Sequence, residues 1–135
     1  MLIHARTNIY NLNYHLVWIT KYRKMIFVTT YLRHVMKHIL KRIARNHGVT
    51  IHNCEVLPEH IHMLVSFPPH MAISSVIKSF KGRSARIWFN EFPKTKKKLY
   101  GGHLWAPTFY AGSVGDMSKE TIKKYINNQL INYRK

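Results

Sequence analysis

The fold is decided by the stretch Pro58-Glu59-His60-Ile61-His62-Met63-Leu64-Val65-Ser66-Phe67-Pro68-Pro69, which predicts one buried strand between proline stops. Side chains along a strand point to alternate faces, so residues two apart share a face. The odd positions from 61 to 67 are all apolar, whereas the even face begins with His60 and His62. We therefore expect one face to join the core and the other to present two imidazoles.

The two histidines are candidate metal ligands. On one strand face they would lie roughly 6 to 7 Å apart, close enough for both rings to reach one ion. His-x-His is nevertheless a common accident in a chain with ten histidines. The pair alone leaves a structural role open, and other residues must decide.

Length and composition predict one soluble, non-exported domain. The 135 residues suffice for a single core. No run of eighteen apolar residues and no secretory signal is visible, so we expect no membrane association and a cytoplasmic location. Cys54 is the one cysteine, which excludes an internal disulfide and a cysteine-built zinc site.

The charge balance points to a polyanionic partner. The chain has 22 Lys and Arg against five Asp and Glu, a formal charge of +17. Nucleic acid is the expected partner, and an anionic membrane surface is the alternative. The five carboxylates are scattered, which argues against a carboxylate-built two-metal nuclease and a paired-carboxylate hydrolase.

Hydrophobic patterns predict the order of secondary structure. Strands are expected at 12–20, 49–57, in the His60 stretch and at 104–114, with the first buried on both faces. Helices are expected from Thr30, capped by Thr29 or Thr30 and stopped at Gly48, and from about 72 to 90. Pro58-Glu59 should close a hairpin, and Pro107 suggests an edge strand or an irregular start.

This order predicts an α+β, ferredoxin-like βαββαβ fold. An antiparallel sheet would carry two helices on one face, with the His60 strand in a central position. The single domain would span 1–135, with its core at about 10–115. A glycine-containing hinge at 112–117 would lead to an extra C-terminal helix at about 118–132, capped by Ser118.

Basic segments supply candidate contacts to nucleic acid. They comprise the loop at 21–24, the outer faces of the helices and the loop at 93–98, which we expect to be mobile; a solvated surface is the alternative interpretation. Gly82 lies inside the second predicted helix, where another backbone or a phosphate could approach closely. The candidate contact residues are Arg23, Lys78, Lys81, Arg83, Lys96 and Lys97.

Several short motifs, taken in order, resemble the single-tyrosine HUH transposases, the TnpA-type enzymes of the smallest bacterial and archaeal insertion sequences. They are Tyr14-His15-Leu16-Val17-Trp18 with Thr20-Lys21-Tyr22-Arg23, Leu57-Pro58-Glu59-His60-Ile61-His62, Lys81-Gly82, Leu104-Trp105-Ala106-Pro107 and Tyr125-Ile126-Asn127-Asn128-Gln129. The match covers nearly the whole chain. Glu59 stands where the family more often has Asp, a departure that leaves the histidines in place.

The resemblance implies residue roles. His60, His62 and Gln129 would bind a divalent metal, with Mg²⁺ as the expected ion and Mn²⁺ as the alternative. Tyr125, on the C-terminal helix, would be the nucleophile that cleaves single-stranded DNA and forms a 5′-phosphotyrosine without a nucleotide cofactor. The resemblance also implies a prokaryotic homodimer that recognises hairpins near the ends of an insertion sequence and acts at the nucleoid.

Three alternative interpretations of the sequence remain to be compared. A non-catalytic RNA-binding protein could share this fold, although the glycine-and-aromatic signature of such modules is absent. A zinc nucleobase deaminase is disfavoured because its His-x-Glu motif and paired cysteines are missing. A transposase relative retained by its host for another task would have the same site.

Overall fold

A computed structural model describes residues 3–4, 9–10 and 12–115 of the chain. The predicted C-terminal helix, with Tyr125 and Gln129, lies outside these residues. No helix in the described part is long and apolar enough to cross a membrane. The described strands and helices are β1 Ile3–His4, β2 Ile9–Tyr10, β3 Asn13–Ile19, α1 Thr30–Asn46, β4 Thr50–Leu57, β5 His60–Ser66, α2 Ile73–Glu91 and β6 Tyr110–Ser113.

The main sheet has the strand order β4-β5-β3-β6, with every neighbouring pair antiparallel. This is the ferredoxin-like order predicted from the sequence, and the histidine strand β5 is central as expected. The short strands β1 and β2 form a separate two-stranded sheet that the sequence patterns did not predict. Strands of two residues are too short to show a hydrophobic period.

The hairpin between β4 and β5 is held at its turn by the segment after β3. Leu57 pairs with His60, so Pro58 and Glu59 form the predicted connection. The Glu59 carbonyl accepts a hydrogen bond from the Thr20 N–H at 2.9 Å, and the Pro58 carbonyl accepts from residues 26 and 27. The backbone that leads into the two histidines is therefore fixed by three hydrogen bonds from this segment.

The hydrophobic core lies between one face of the sheet and the two helices. Leu16 and Trp18 of β3 and the odd-numbered residues of β5 pack into one cluster with the inner faces of α1 and α2. Helix α1 begins at the predicted cap, where the Thr29 hydroxyl accepts from the Leu32 N–H at 3.1 Å. It ends before Gly48, whose φ of +69° is the left-handed conformation that favours glycine.

Three sequence expectations were wrong in detail. The opposite face of β3 is only half-buried, because both helices pack on the same side of the sheet. The basic segment Pro93–Lys98 forms a 3₁₀ helix instead of a loop. Only Tyr110–Ser113 of the region 104–114 is a strand; it lies at the sheet edge, and Trp105 makes an isolated bridge with Thr20.

Candidate metal centre and nucleic-acid groove

His60 and His62 lie side by side on the face of β5 that the helices do not cover. Their ring centroids are 4.5 Å apart and the rings are nearly perpendicular, at 77°. The His60 side chain is 13% exposed and His62 is 8% exposed. The two rings are therefore close enough to act together and are largely shielded from water.

Glu59 holds the first of these rings. Its Oε1 lies 2.6 Å from the Nδ1 of His60. A carboxylate accepts a hydrogen bond, so this contact places the proton of a neutral His60 ring on Nδ1. Metal-ligating histidines commonly donate their second nitrogen to a carboxylate in this way. The contact fits His60 as a ligand through Nε2.

His15 of β3 contacts the second ring. The His15 Nε2 lies 3.3 Å from the His62 Nδ1, and the two rings are nearly parallel, with centroids 5.5 Å apart. In the β3–β5 ladder His62 pairs with Val17, so His15 is its diagonal neighbour on the same face. The strand order of a ferredoxin-like sheet could have revealed this contact, since it places the first core strand, here β3, beside the third, here β5.

Burial keeps the rings of His62 and His15 neutral. It lowers the pKa of His62 to about 3, with smaller contributions from His60 and His15, and lowers the pKa of His15 to about 4. Both rings are consequently unprotonated at neutral pH. A neutral imidazole is the form that binds a metal ion.

The donor set fits a divalent metal. Two imidazoles converge on one face, and a nitrogen of each is already engaged by a neighbouring side chain. Within residues 12–115, no group of three or more His, Cys, Asp or Glu is placed to hold an ion. The expected third ligand, Gln129, lies outside the described residues.

A basic groove of about 570 Å³ runs between α2 and the segment 102–107. Four cationic side chains line it, from Lys21, Lys81, Arg86 and Lys96, together with the ring of Phe89. Gly82 is exposed in its wall, and a Cβ added there would meet no atom within 4 Å. The groove carries the positive charge that would attract a nucleic-acid backbone.

A family sequence profile described as "Transposase IS200 like" matches residues 8–129. The chain belongs to this family of transposases. It is 40% identical over 125 residues to the ISDra2 transposase TnpA of Deinococcus radiodurans, which covers 93% of this chain and 89% of that protein. It is 33% identical over 129 residues to the transposase for insertion sequence element IS200 of Salmonella typhimurium, with 96% and 82% covered.

One solved structure agrees with this family assignment, and a second, more distant one shares the fold. A crystal structure of a candidate transposase from Deinococcus radiodurans R1 superposes with a TM-score of 0.77 at 35% identity, covering 94% of this chain and 97% of that one. A REP-associated tyrosine transposase, solved bound to a REP hairpin, has the same fold, with a TM-score of 0.57 at 19% identity and coverages of 92% and 68%. Membership of the family favours the transposase hypothesis over the RNA-binding alternative.

The structure of this transposase-family chain separates the six predicted DNA contacts. Lys81 and Lys96 line the groove, whereas Arg23, Lys78, Arg83 and Lys97 are exposed elsewhere on the surface. Lys81 was expected to point outward. Instead it is half-buried, and its Nζ donates to the carbonyls of Ala106 at 2.5 Å and Thr108 at 3.3 Å. Those carbonyls compensate for the lost hydration, although burial lowers the Lys81 pKa.

One further residue of the transposase, Ser84, supports the groove without an obvious sequence signal. Ser84 is fully buried on α2, and its Oγ accepts a hydrogen bond from Trp105 Nε1 at 2.9 Å. This bond ties Trp105, in the segment 102–107 that forms one wall of the groove, to the helix α2 that forms the other. Only the position of Ser84 on the inner helical stripe could have suggested burial; its partner depends on the tertiary fold.

Proposed function

We propose that this chain cleaves and rejoins single-stranded DNA at insertion-sequence ends, with Tyr125 as nucleophile and a divalent metal at His60 and His62. The observation that supports this proposal is the geometry of the two histidine rings. They lie 4.5 Å apart on the uncovered sheet face, and the carboxylate of Glu59 orients one of them. In a member of a transposase family, such a pair is best explained by a role at the reacting phosphate.

The chemistry conserves phosphoester bonds. The Tyr125 oxygen would attack the scissile phosphorus, forming a bond between tyrosine and the 5′ phosphate while the bond to the 3′ oxygen breaks. The phenol proton passes to solvent, and the leaving 3′ oxygen takes up a proton. In rejoining, a 3′ hydroxyl attacks the phosphotyrosine and releases Tyr125. Each step exchanges one phosphoester for another, so no nucleotide cofactor is needed.

His60, His62 and Gln129 would hold the ion, Mg²⁺ or Mn²⁺. When bound, the ion supplies positive charge that polarises the phosphodiester and stabilises charge on the leaving oxygen. The protein residues have separate tasks. Imidazoles bind a metal ion in their neutral form and so would leave its full positive charge at the site. Glu59 holds the His60 ring, and the sheet excludes water from one side.

We further propose that the DNA substrate carries a hairpin and that its backbone contacts the basic groove. The charge of +17 and the four cationic side chains of the groove favour a polyanion. The REP-hairpin complex of a protein with the same fold supports this shape of DNA. Binding that relies on these cations should weaken steeply as the salt concentration rises.

The direct test is a covalent adduct. The protein is incubated with hairpin-bearing single-stranded oligonucleotides and Mn²⁺, and a denaturant-resistant protein–DNA species is sought on a gel and mapped by mass spectrometry. We expect an adduct at Tyr125, none with Tyr125→Phe, and very little with His62→Ala. Tyr31→Phe is the matched control, because Tyr31 is an exposed tyrosine, 60% accessible, at the start of α1.

Two results would contradict the proposal. An adduct on another tyrosine would remove the assignment of Tyr125. Tight binding of RNA, with no adduct on any DNA, would favour the binding-module alternative.

We also propose that the active form is a homodimer, as the family resemblance implies. Tyr125→Phe and His62→Ala proteins are each expected to be inactive alone. If the tyrosine of one subunit completes the site of the other, a mixture of the two variants will regain cleavage. A monomeric mass by light scattering at working concentration would refute the dimer.

A further inference from the structure

We propose that His15 is a positioning residue for the metal centre: it accepts a hydrogen bond from the Nδ1 of His62 and so directs the Nε2 of His62 to the ion. This inference rests on the proposed function of His60 and His62. It adds a residue from the neighbouring strand, whose side chain touches a ligand and not the ion itself.

The first support is the placement of His15 by the fold. The register pairs Val17 with His62, so the His15 side chain emerges diagonally beside the His62 ring. The facing nitrogens are 3.3 Å apart and the rings are inclined by only 14°. A nitrogen-to-nitrogen contact of this length requires one donor and one acceptor when both rings are neutral.

The second support is the parallel with His60. Each candidate ligand is contacted at its Nδ1. The carboxylate of Glu59 contacts the Nδ1 of His60, and His15 contacts the Nδ1 of His62. A histidine held at Nδ1 coordinates through Nε2, and the supporting partner fixes both tautomer and ring orientation. The two rings thus have equivalent supports, one from the β4–β5 turn and the other from the neighbouring strand β3.

The positions of the ring protons set the direction of the hydrogen bond between His62 and His15. If the Nε2 of His62 binds an ion, it carries no proton, and the remaining ring proton must be on Nδ1. That N–H then donates to the Nε2 of His15, which accepts. The proton of a neutral His15 ring lies on its own Nδ1.

The His15 ring is itself held in place. Tyr110 of the edge strand β6 packs edge-on against it, with centroids 5.5 Å apart. The Tyr110 ring lies over Gly112, where an added Cβ would come within 2.6 Å of the Tyr110 hydroxyl. Glycine at that position therefore permits the packing that orients His15, although Tyr110 remains 59% exposed.

The alternative is that the three histidines, which are not placed to share an ion in the described residues, rearrange when the ion binds and make His15 a third ligand. The two arrangements differ in the number of imidazoles bound to the metal. A positioning residue leaves two coordinated imidazoles, whereas a ligand makes three.

The test compares two substitutions with a matched control. His15→Phe keeps an aromatic ring against Tyr110 but removes the acceptor. His15→Gln places an amide oxygen near the former Nε2 and restores it. His52→Phe is the control, because His52 is a half-buried histidine on β4 whose Nε2 contacts the Ser66 hydroxyl at 2.6 Å.

Mn²⁺ affinity is measured by electron paramagnetic resonance, and coordinated imidazoles are counted by pulsed detection of ¹⁴N. We expect His15→Phe to weaken Mn²⁺ binding by about 10- to 100-fold while two imidazoles remain bound at saturation. His15→Gln should recover most of the affinity, and His52→Phe should match the wild type. Metal-free hairpin binding and the unfolding midpoint of His15→Phe serve to exclude a general loss of structure.

Several outcomes would overturn the inference. Wild-type affinity in His15→Phe would show that His15 does not support the site. A fall from three coordinated imidazoles to two would make it a ligand. Both results leave the proposed metal site standing, whereas a wild-type protein with no imidazole-bound Mn²⁺ would remove that site together with the inference.

Discussion

Replacing Ser84 by Ala should destabilise the protein through Trp105. Ser84 is fully buried, its Oγ accepts from Trp105 Nε1 at 2.9 Å, and its own hydroxyl donates to the Lys81 carbonyl at 3.2 Å. Trp105 is itself 6% exposed, and its ring packs against Trp18 at a centroid distance of 5.9 Å. The indole N–H therefore has little access to water if the hydroxyl is removed.

The magnitude follows from the unpaired donor. A buried polar group left without a partner costs about 1 to 3 kcal/mol. The helix propensity of alanine is more favourable than that of serine by roughly a few tenths of a kcal/mol, and this difference offsets part of that cost. We expect the free energy of unfolding to fall by about 1 to 2 kcal/mol.

Urea unfolding followed by far-UV circular dichroism measures this change. Ser79→Ala is the control, since Ser79 is half-buried on the same helix and its replacement reports mainly helix propensity. If Ser84→Ala and Ser79→Ala differ by less than about 0.5 kcal/mol, the hydrogen bond does not stabilise the fold and the reasoning is refuted.

Three other perturbations have defined outcomes. Gly82→Ala should raise the free energy of unfolding by about 1 kcal/mol, because the added Cβ meets no neighbour. If the same variant binds the hairpin more weakly in a filter assay, DNA approaches the backbone at this position. Glu59→Ala should reduce Mn²⁺ affinity by about 10- to 100-fold in a calorimetric titration, since the His60 ring loses the carboxylate at its Nδ1; unchanged affinity would contradict that role. In metal-free protein, His15 and His62 have pKa values lowered from 6.5 to about 4 and about 3, so the unfolded chain binds more protons below pH 6.5. Stability should then fall by at most about 1.4 kcal/mol per pH unit for each ring as the pH drops from 6.5 towards 4, and a flat profile in urea titrations would refute those shifts.

Much of the fold followed from local patterns. The alternation in the His60 strand separated the core face from the histidine face because a strand has a period of two. The Thr29 cap and Gly48 marked the ends of α1 because both act through nearby backbone atoms. The order of elements then limited the sheet to an arrangement in which the His60 strand is central.

The remaining features depend on contacts between distant segments. Lys81 follows the outer pattern of α2, yet its ammonium donates to the carbonyls of Ala106 and Thr108. His15 could be placed on a sheet face, but its contact with His62 requires the register between β3 and β5. Neither contact has a periodic signal, since each joins residues at least 25 positions apart.

Crystals of the protein grown with Mn²⁺ and examined by anomalous scattering test the central claim most directly. We predict one strong anomalous peak between His60 and His62, at about 2.2 Å from the Nε2 atom of each. A crystal saturated with Mn²⁺ that shows no peak between these rings, or a peak on other residues only, would contradict the account.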